Sequence, residues 1–197
     1  GSGVSGLVSA DIAASKNYKV LLVEQEGELG GEILSTRNKN IKIDNLPINE
    51  WKNKIIDKLS KNPNVKIIKN TTCFAYLNYN LLLAVQEIDP EKGLNKKNDI
   101  KERIWKIRSK KVILATGAIE RPIIFNNNDR PGIMLSNSVK KYLNKYGVAS
   151  GKNLVFFTNN DSAYETAIDF FEQGIKVEAI VDTRDNSDGY FPKKANK

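Results

Sequence analysis

Apolar positions in this chain fall into two patterns: short continuous runs and helically spaced faces. Together they predict an α/β protein. Residues 1–16 read as a glycine turn running into a helix, where Ala10, Ala13 and Ala14 permit close packing on a sheet. Residues 19–23 (KVLLV) are an apolar run suited to a buried parallel strand. A loop with Gly27, Gly30 and Gly31 follows. Ile48, Trp51, Ile55, Ile56 and Leu59 then share one helical face, with Pro47 at its start and Asn62-Pro63 as its stop. Residues 65–68 are a further strand. From 71 to 107 short alternating runs predict a small antiparallel meander, with a polar loop at 89–99 before its last strand. Residues 111–117 return to a buried strand ending in a turn, and residues 136–146 are helical. A strand at 154–158, a helix at 162–173 and a strand at 176–181 complete the pattern.

The domain reading follows from this order. Residues 1–120 form a first dinucleotide-binding domain, 121–185 begin a second Rossmann-like domain, and 186–197 are a polar tail. A dinucleotide-binding turn follows a strand, yet its first glycine here is residue 1, and the strand that would close the first domain is missing. The sequence therefore predicts a portion of a longer polypeptide.

Composition narrows the chemistry. Hydrophobic residues make up 40% of the chain, enough for a buried core. No apolar run approaches the roughly 18 residues of a membrane span, and no basic region precedes an apolar run at the N-terminus. The net charge of +8 comes from scattered lysine pairs without interleaved aromatics, which reads as a solvated surface and not as a nucleic-acid site. Histidine is absent, which excludes a Ser-His-Asp triad, a Cys-His pair and a histidine-bearing metal site within the chain. The single cysteine, Cys73, allows no internal disulfide and no Cys-x-x-Cys centre, fits a reducing cytoplasm, and is expected as an inert core thiol. Redox chemistry must then belong to a bound cofactor, and no catalytic or metal-binding residue is assigned.

The strongest chemical signal is Gly1-Ser2-Gly3-Val4-Ser5-Gly6. Gly1 permits a tight turn from a strand, Gly3 lets backbone approach a pyrophosphate, and Gly6 allows close helix–strand contact. The following helix N-terminus offers free N–H groups and a positive dipole end. Taken alone, such a turn can be purely structural. Glu24 ends the next strand, where a carboxylate accepts hydrogen bonds from ribose hydroxyls. Taken alone, it too could be a solvated strand-end charge. Gln25 and Glu26 follow it with no arginine, which disfavours NADP. The third element is Ala115-Thr116-Gly117, the strand end that passes beside the cofactor in flavoproteins with paired dinucleotide domains. The fold class is therefore α/β, a FAD/NAD(P)-binding Rossmann-like fold of that paired type, with a small antiparallel meander. Trp51 and Trp105 read as packing residues. Arg121 and Arg130 fit loop-pinning salt bridges as well as cofactor contact. Asn160-Asp161-Ser162 stands where a second glycine loop would be needed and reads as a helix cap.

Several stretches carry a specific resemblance. They are Thr71-Thr72-Cys73-Phe74, Glu102-Arg103-Ile104-Trp105, Glu120-Arg121-Pro122-Ile123, Asn127-Asn128-Asp129-Arg130-Pro131-Gly132-Ile133-Met134, Tyr146-Gly147-Val148 and Asn160-Asp161-Ser162-Ala163-Tyr164-Glu165. With them, residues 1–185 resemble the alpha subunit of heterotetrameric sarcosine oxidase. The resemblance implies NAD bound in this chain, FAD in a beta subunit where the amine is oxidised, and FMN at the alpha–beta interface. It also implies beta, gamma and delta subunits as partners, with sarcosine going to glycine and hydrogen peroxide being formed. The NAD is implied to be held without taking part in turnover. Candidate cofactor contacts are Gly1, Ser2, Gly3, Val4, Ser5, Gly6, Glu24, Gln25, Gly30, Gly31, Thr72, Cys73, Ala115, Thr116 and Gly117. Two alternatives stay open. One is an FAD-binding subunit of a related proline or opine dehydrogenase, and the other is a redox-silent nucleotide-binding assembly module.

Overall fold

A computed structural model of the chain describes residues 1–38, 40–88 and 100–195. The polar loop read at 89–99 lies outside the described residues. Two compact units are present: Gly1–Ile33 with Asn38–Gly117, and Leu34–Arg37 with Ala118–Lys197.

In the first unit the glycine turn leads into α1 (Val4–Ser15), followed by β1 (Val20–Val23). A short hairpin of β2 (Lys42–Ile43) and β3 (Leu46–Pro47) turns through Asp44 and Asn45, both with positive φ, as tight two-residue hairpin turns require. Helix α2 (Ile48–Lys61) then carries the chain to β4 (Val65–Ile68), which lies parallel to β1 in the register Val20↔Val65 to Val23↔Ile68. The predicted apolar face of α2 is the buried one: Ile48, Trp51, Ile55 and Leu59 join Leu7 and Ala10 of α1, Leu22 of β1 and Ile33 in one core. Leu59 and Leu7 are fully buried there. Trp51 acts as a packing residue, and its indole N–H donates to Asp44 Oδ2 at 3.3 Å.

The meander forms as read, with β5 (Thr71–Leu77), β6 (Leu81–Glu87) and β7 (Glu102–Arg108) antiparallel in that order. Its start is tied to the parallel pair, because the Thr71 N–H donates to the Glu24 carbonyl at 2.9 Å. Trp105 donates to Gln86 Oε1 at 2.9 Å and lies under Lys66 Nζ, 4.9 Å from the ring centroid. The structure corrects the reading of Cys73 as a core thiol. The β5–β6 register shifts between Cys73 and Ala75, and Cys73 is exposed.

A second correction concerns residues 111–117, which are not a strand. A strand exists through its ladder partner. The Ala115 carbonyl lies against Gly1, whose nitrogen donates to Val23 O at 2.9 Å, and residues 111–117 join no ladder among the described residues. Without a paired ladder the apolar run stays largely exposed, Ile113 at 64% and Leu114 at 67%.

In the second unit, α3 (Ser136–Tyr146) ends at Gly147, whose positive φ lets its N–H and that of Val148 return to the Leu143 and Tyr142 carbonyls. Strand β8 (Asn153–Thr158), helix α4 (Ser162–Glu172) and parallel strand β9 (Lys176–Asp182) follow as expected. Val139 and Leu143 of α3 pack with Phe156, Ala163, Ala167 and Phe170. Within the segment read as a polar tail, Tyr190–Ala195 is helical, α5.

Candidate dinucleotide site

The first helix begins at a turn that its own side chains do not cap. Gly3 is the N-cap residue, no acidic residue stands in the first turn, and the first intrahelical bond runs from Leu7 N–H to the Gly3 carbonyl at 2.9 Å. The amides of Val4, Ser5 and Gly6 thus head α1 without an intrahelical acceptor, the arrangement that favours an anion. Val4 and Ser5 are exposed and Gly6 is buried.

The glycines separate into two kinds. A Cβ on Gly1 would run into the Ala115 carbonyl, and a Cβ on Gly6 would run into the Gly1 carbonyl. Both are required by the chain's own packing. Gly31 has a φ of +55°, and a Cβ there would stand 2.9 Å from the Gly3 Cα. Gly3 differs. Its φ of −67° and ψ of −176° suit any residue, and a Cβ on it would meet nothing within 4 Å. Neither backbone conformation nor packing among the described residues requires glycine at this position. Open space beside exposed amides is what a pyrophosphate needs, so the residues present fit a dinucleotide.

Glu24 closes the turn from the far side. Its Oε2 accepts from both the Ser2 N–H and the Ser2 hydroxyl, each at 2.6 Å, and its Oε1 accepts from the Glu26 N–H at 2.9 Å. Burial pushes the carboxyl pKa up, but the Ser2 and Glu26 bonds outweigh it and hold the group below its ordinary value. A folded pKa below the unfolded one stabilises the folded state above the ordinary carboxylate range, and that contribution is lost as pH falls through the folded value. Ser2 also accepts from the Gly30 N–H at 3.2 Å, which draws the Gly30-Gly31 loop onto the turn.

The structure thus brings together Gly1, Ser2, Gly3, Gly6, Glu24, Gly30, Gly31 and the Ala115 carbonyl. Gln25 is exposed just beyond Glu24, and Thr116 and Gly117 are exposed beyond Ala115. Thr72 and Cys73 are exposed positions of β5, and the Cys73 thiol donates to the Ala75 carbonyl of its own strand, at 3.7 Å. Sequence reasoning placed Ser2 in the turn but missed its bonds to Glu24 and Gly30. A serine between the first two glycines, with a carboxylate at the next strand end, was the available signal.

The comparable turn of the second unit is differently built. Asn160 Oδ1 accepts from the Ser162 N–H at 3.0 Å, and Asp161, the N-cap residue, makes no side-chain cap bond. The Arg184 guanidinium donates to Asp161 Oδ1 at 2.8 Å and to Asp182 Oδ2 at 2.7 Å. The Arg184 bonds hold Asp182 well below the usual carboxylate range. The β8–α4 turn is therefore lined by two carboxylates and a guanidinium already paired with each other. Among the described residues, no helix is long and apolar enough to cross a membrane, and no group of three or more acidic or cysteine side chains is gathered to hold a metal ion.

Residues 1–65 match the family model of the NAD(P)-binding Rossmann-like domain. The sarcosine oxidase alpha subunit of Rhizobium meliloti (strain 1021) is 36% identical over 184 residues, which is 93% of this chain and 18% of that subunit. The alpha subunit from Corynebacterium sp. (strain P-1) is 38% identical over 188 residues, 93% of this chain and 19% of that subunit. Among solved structures, L-proline dehydrogenase from P. horikoshii matches with a TM-score of 0.70 and 26% identity, over 95% of this chain and 36% of that one. The chain spans about a fifth of the length of the curated relatives it matches. Over 93% of its own length the chain is similar to a segment of sarcosine oxidase alpha subunits, and its first 65 residues match an NAD(P)-binding Rossmann-like domain.

Proposed function

We propose that this chain is the NAD-holding segment of the alpha subunit of a multisubunit, flavin-dependent sarcosine oxidase. The observation that carries the reading is Gly3, an ordinary backbone position kept open beside the uncapped start of α1. The first-turn amides would take the pyrophosphate, and Glu24 would take the adenosine ribose. A carboxylate offers about four acceptor positions. Three are filled here, so one remains on Oε1 for a ribose hydroxyl.

NAD is held for structure in this reading. Oxidation of the amine falls to FAD in the beta subunit, with FMN at the alpha–beta interface and gamma and delta subunits completing the assembly. FAD supplies the electron-accepting ring when bound. This chain contributes the nucleotide cradle, at Gly3 and Glu24. The likeness to L-proline dehydrogenase favours one second reading, an FAD-binding subunit acting on another secondary amine.

NADP is expected to bind about tenfold or more weaker than NAD. Its 2′-phosphate would meet the ionised Glu24 with Glu26 beside it, and a single like-charge encounter of about 1.4 kcal/mol suffices for that factor. Calorimetric titration of the intact protein with both cofactors checks it, and equal or tighter NADP binding would reject the assignment. Mass spectrometry of nucleotide released on denaturation separates the two readings, since NAD supports the first and FAD the second.

A further inference from the structure

Ser2 has a fully buried side chain, with 0% exposure, in the middle of a turn whose other residues face outward or approach backbone. A hydroxyl has one donor and two acceptor positions. The donor goes to Glu24 Oε2 at 2.6 Å, and one acceptor position takes the Gly30 N–H at 3.2 Å. The Ser2 N–H takes the second position on the same Glu24 oxygen, at 2.6 Å. Oε2 is thereby saturated from one side, and Oε1 is left with the Glu26 N–H and one open position.

We propose that Ser2 is a positioning residue that touches no part of the nucleotide, and that fixes Glu24 with a single Oε1 position aimed at the adenosine ribose. This deepens the dinucleotide reading above and rests on it. The physical reason is preorganisation. An unrestrained glutamate side chain has several rotamers and must be ordered when ligand arrives, which weakens binding. The Ser2 clasp imposes that order beforehand. It also explains why the bonds from Ser2 are charge-assisted and short, since they must hold a carboxylate against burial.

The test compares NAD with its analogue lacking the 2′-hydroxyl on the adenosine ribose. Both are titrated into the intact protein and into Ser2→Ala, Ser2→Cys and Glu24→Gln. Ser2→Cys fills the site with a slightly larger side chain and donates weakly, so it carries the test if the alanine variant does not fold. The expected result is an NAD affinity about tenfold lower in Ser2→Ala and in Ser2→Cys, the loss of one hydrogen bond to a charged group. The deoxy analogue should bind the Ser2 variants and wild type alike. Adding Ser2→Ala to Glu24→Gln should weaken NAD little further, because the two act as one unit. Equal losses for NAD and the deoxy analogue would mean that Ser2 serves the turn's structure alone, and would overturn the proposal. Unchanged NAD affinity in both Ser2 variants would overturn it as well. A wild-type protein that binds neither nucleotide would instead overturn the dinucleotide reading, and this proposal with it.

Discussion

Gly3→Val should fold as the wild type does and lose at least about a hundredfold in dinucleotide affinity. The two halves of this expectation come from different observations. Folding is preserved because Gly3 has backbone angles open to any residue and, apart from its chain neighbours, no described atom within 4 Å of where its Cβ would stand. Affinity falls because the new side chain takes the space in which a phosphate approaches the amides of Val4 to Gly6. Losing two hydrogen bonds to a charged group costs roughly 3–6 kcal/mol, a factor of about a hundred or more. Gly6→Val is the control with the opposite signature, because its Cβ would enter the Gly1 carbonyl and the fold itself would suffer. Ligand-free melting temperature and calorimetric titration separate the two. If Gly3→Val retains stoichiometric cofactor by mass spectrometry, the nucleotide lies elsewhere. If it unfolds without ligand, Gly3 is a packing glycine and the open cradle carries no function.

What could be read from the sequence follows from which forces act locally. The α2 face of Ile48, Trp51, Ile55 and Leu59 was legible because a helix sorts its side chains by spacing alone. The β8–α4–β9 unit was legible for the same reason, its apolar runs being bounded by polar turns. Residues 111–117 looked equally strand-like and are not a strand, because a ladder depends on a neighbour that periodicity does not report. Cys73 was misread through the same blind spot. Alternation cannot reveal a register shift between Cys73 and Ala75, nor which sheet positions stay uncovered. In the site, the glycine spacing and Glu24 were visible as motif elements. The Ser2 clasp was not, because it joins residues that meet only after α1 and β1 fold against each other. The Arg184 pairing with Asp161 and Asp182 was hidden likewise, two of its three members lying on opposite sides of α4.

Glu165→Ala should destabilise the second unit by about 3 kcal/mol or more, a large effect for one surface-type residue on a helix. Lys140 reads in sequence as a solvated helix lysine, yet its side chain is 8% exposed and its Nζ lies 2.6 Å from Glu165 Oε2, itself on a side chain 17% exposed. The pair bridges α3 and α4 beside the core of Val139, Leu143, Ala163 and Ala167. Removing the carboxylate leaves an ammonium buried without its partner, and such truncations cost about 3–5 kcal/mol. Asp169 decides where in that range the loss falls. Its carboxyl, whose pKa burial pushes up against the pull of Asn144 and Lys140, is a second anion acting on the same lysine and would recover part of the interaction. The lower end is therefore expected. The combined change Lys140→Met with Glu165→Leu removes both charges and fills similar volume, so it should be neutral or stabilising by up to about 4 kcal/mol. Denaturant midpoints of the two variants at constant m-value measure both numbers. A Glu165→Ala loss below about 1 kcal/mol would mean that the flexible lysine stem carries Nζ out to water. A double variant as unstable as the single one would mean that the pair is needed for the α3–α4 packing itself, and not only tolerated by it.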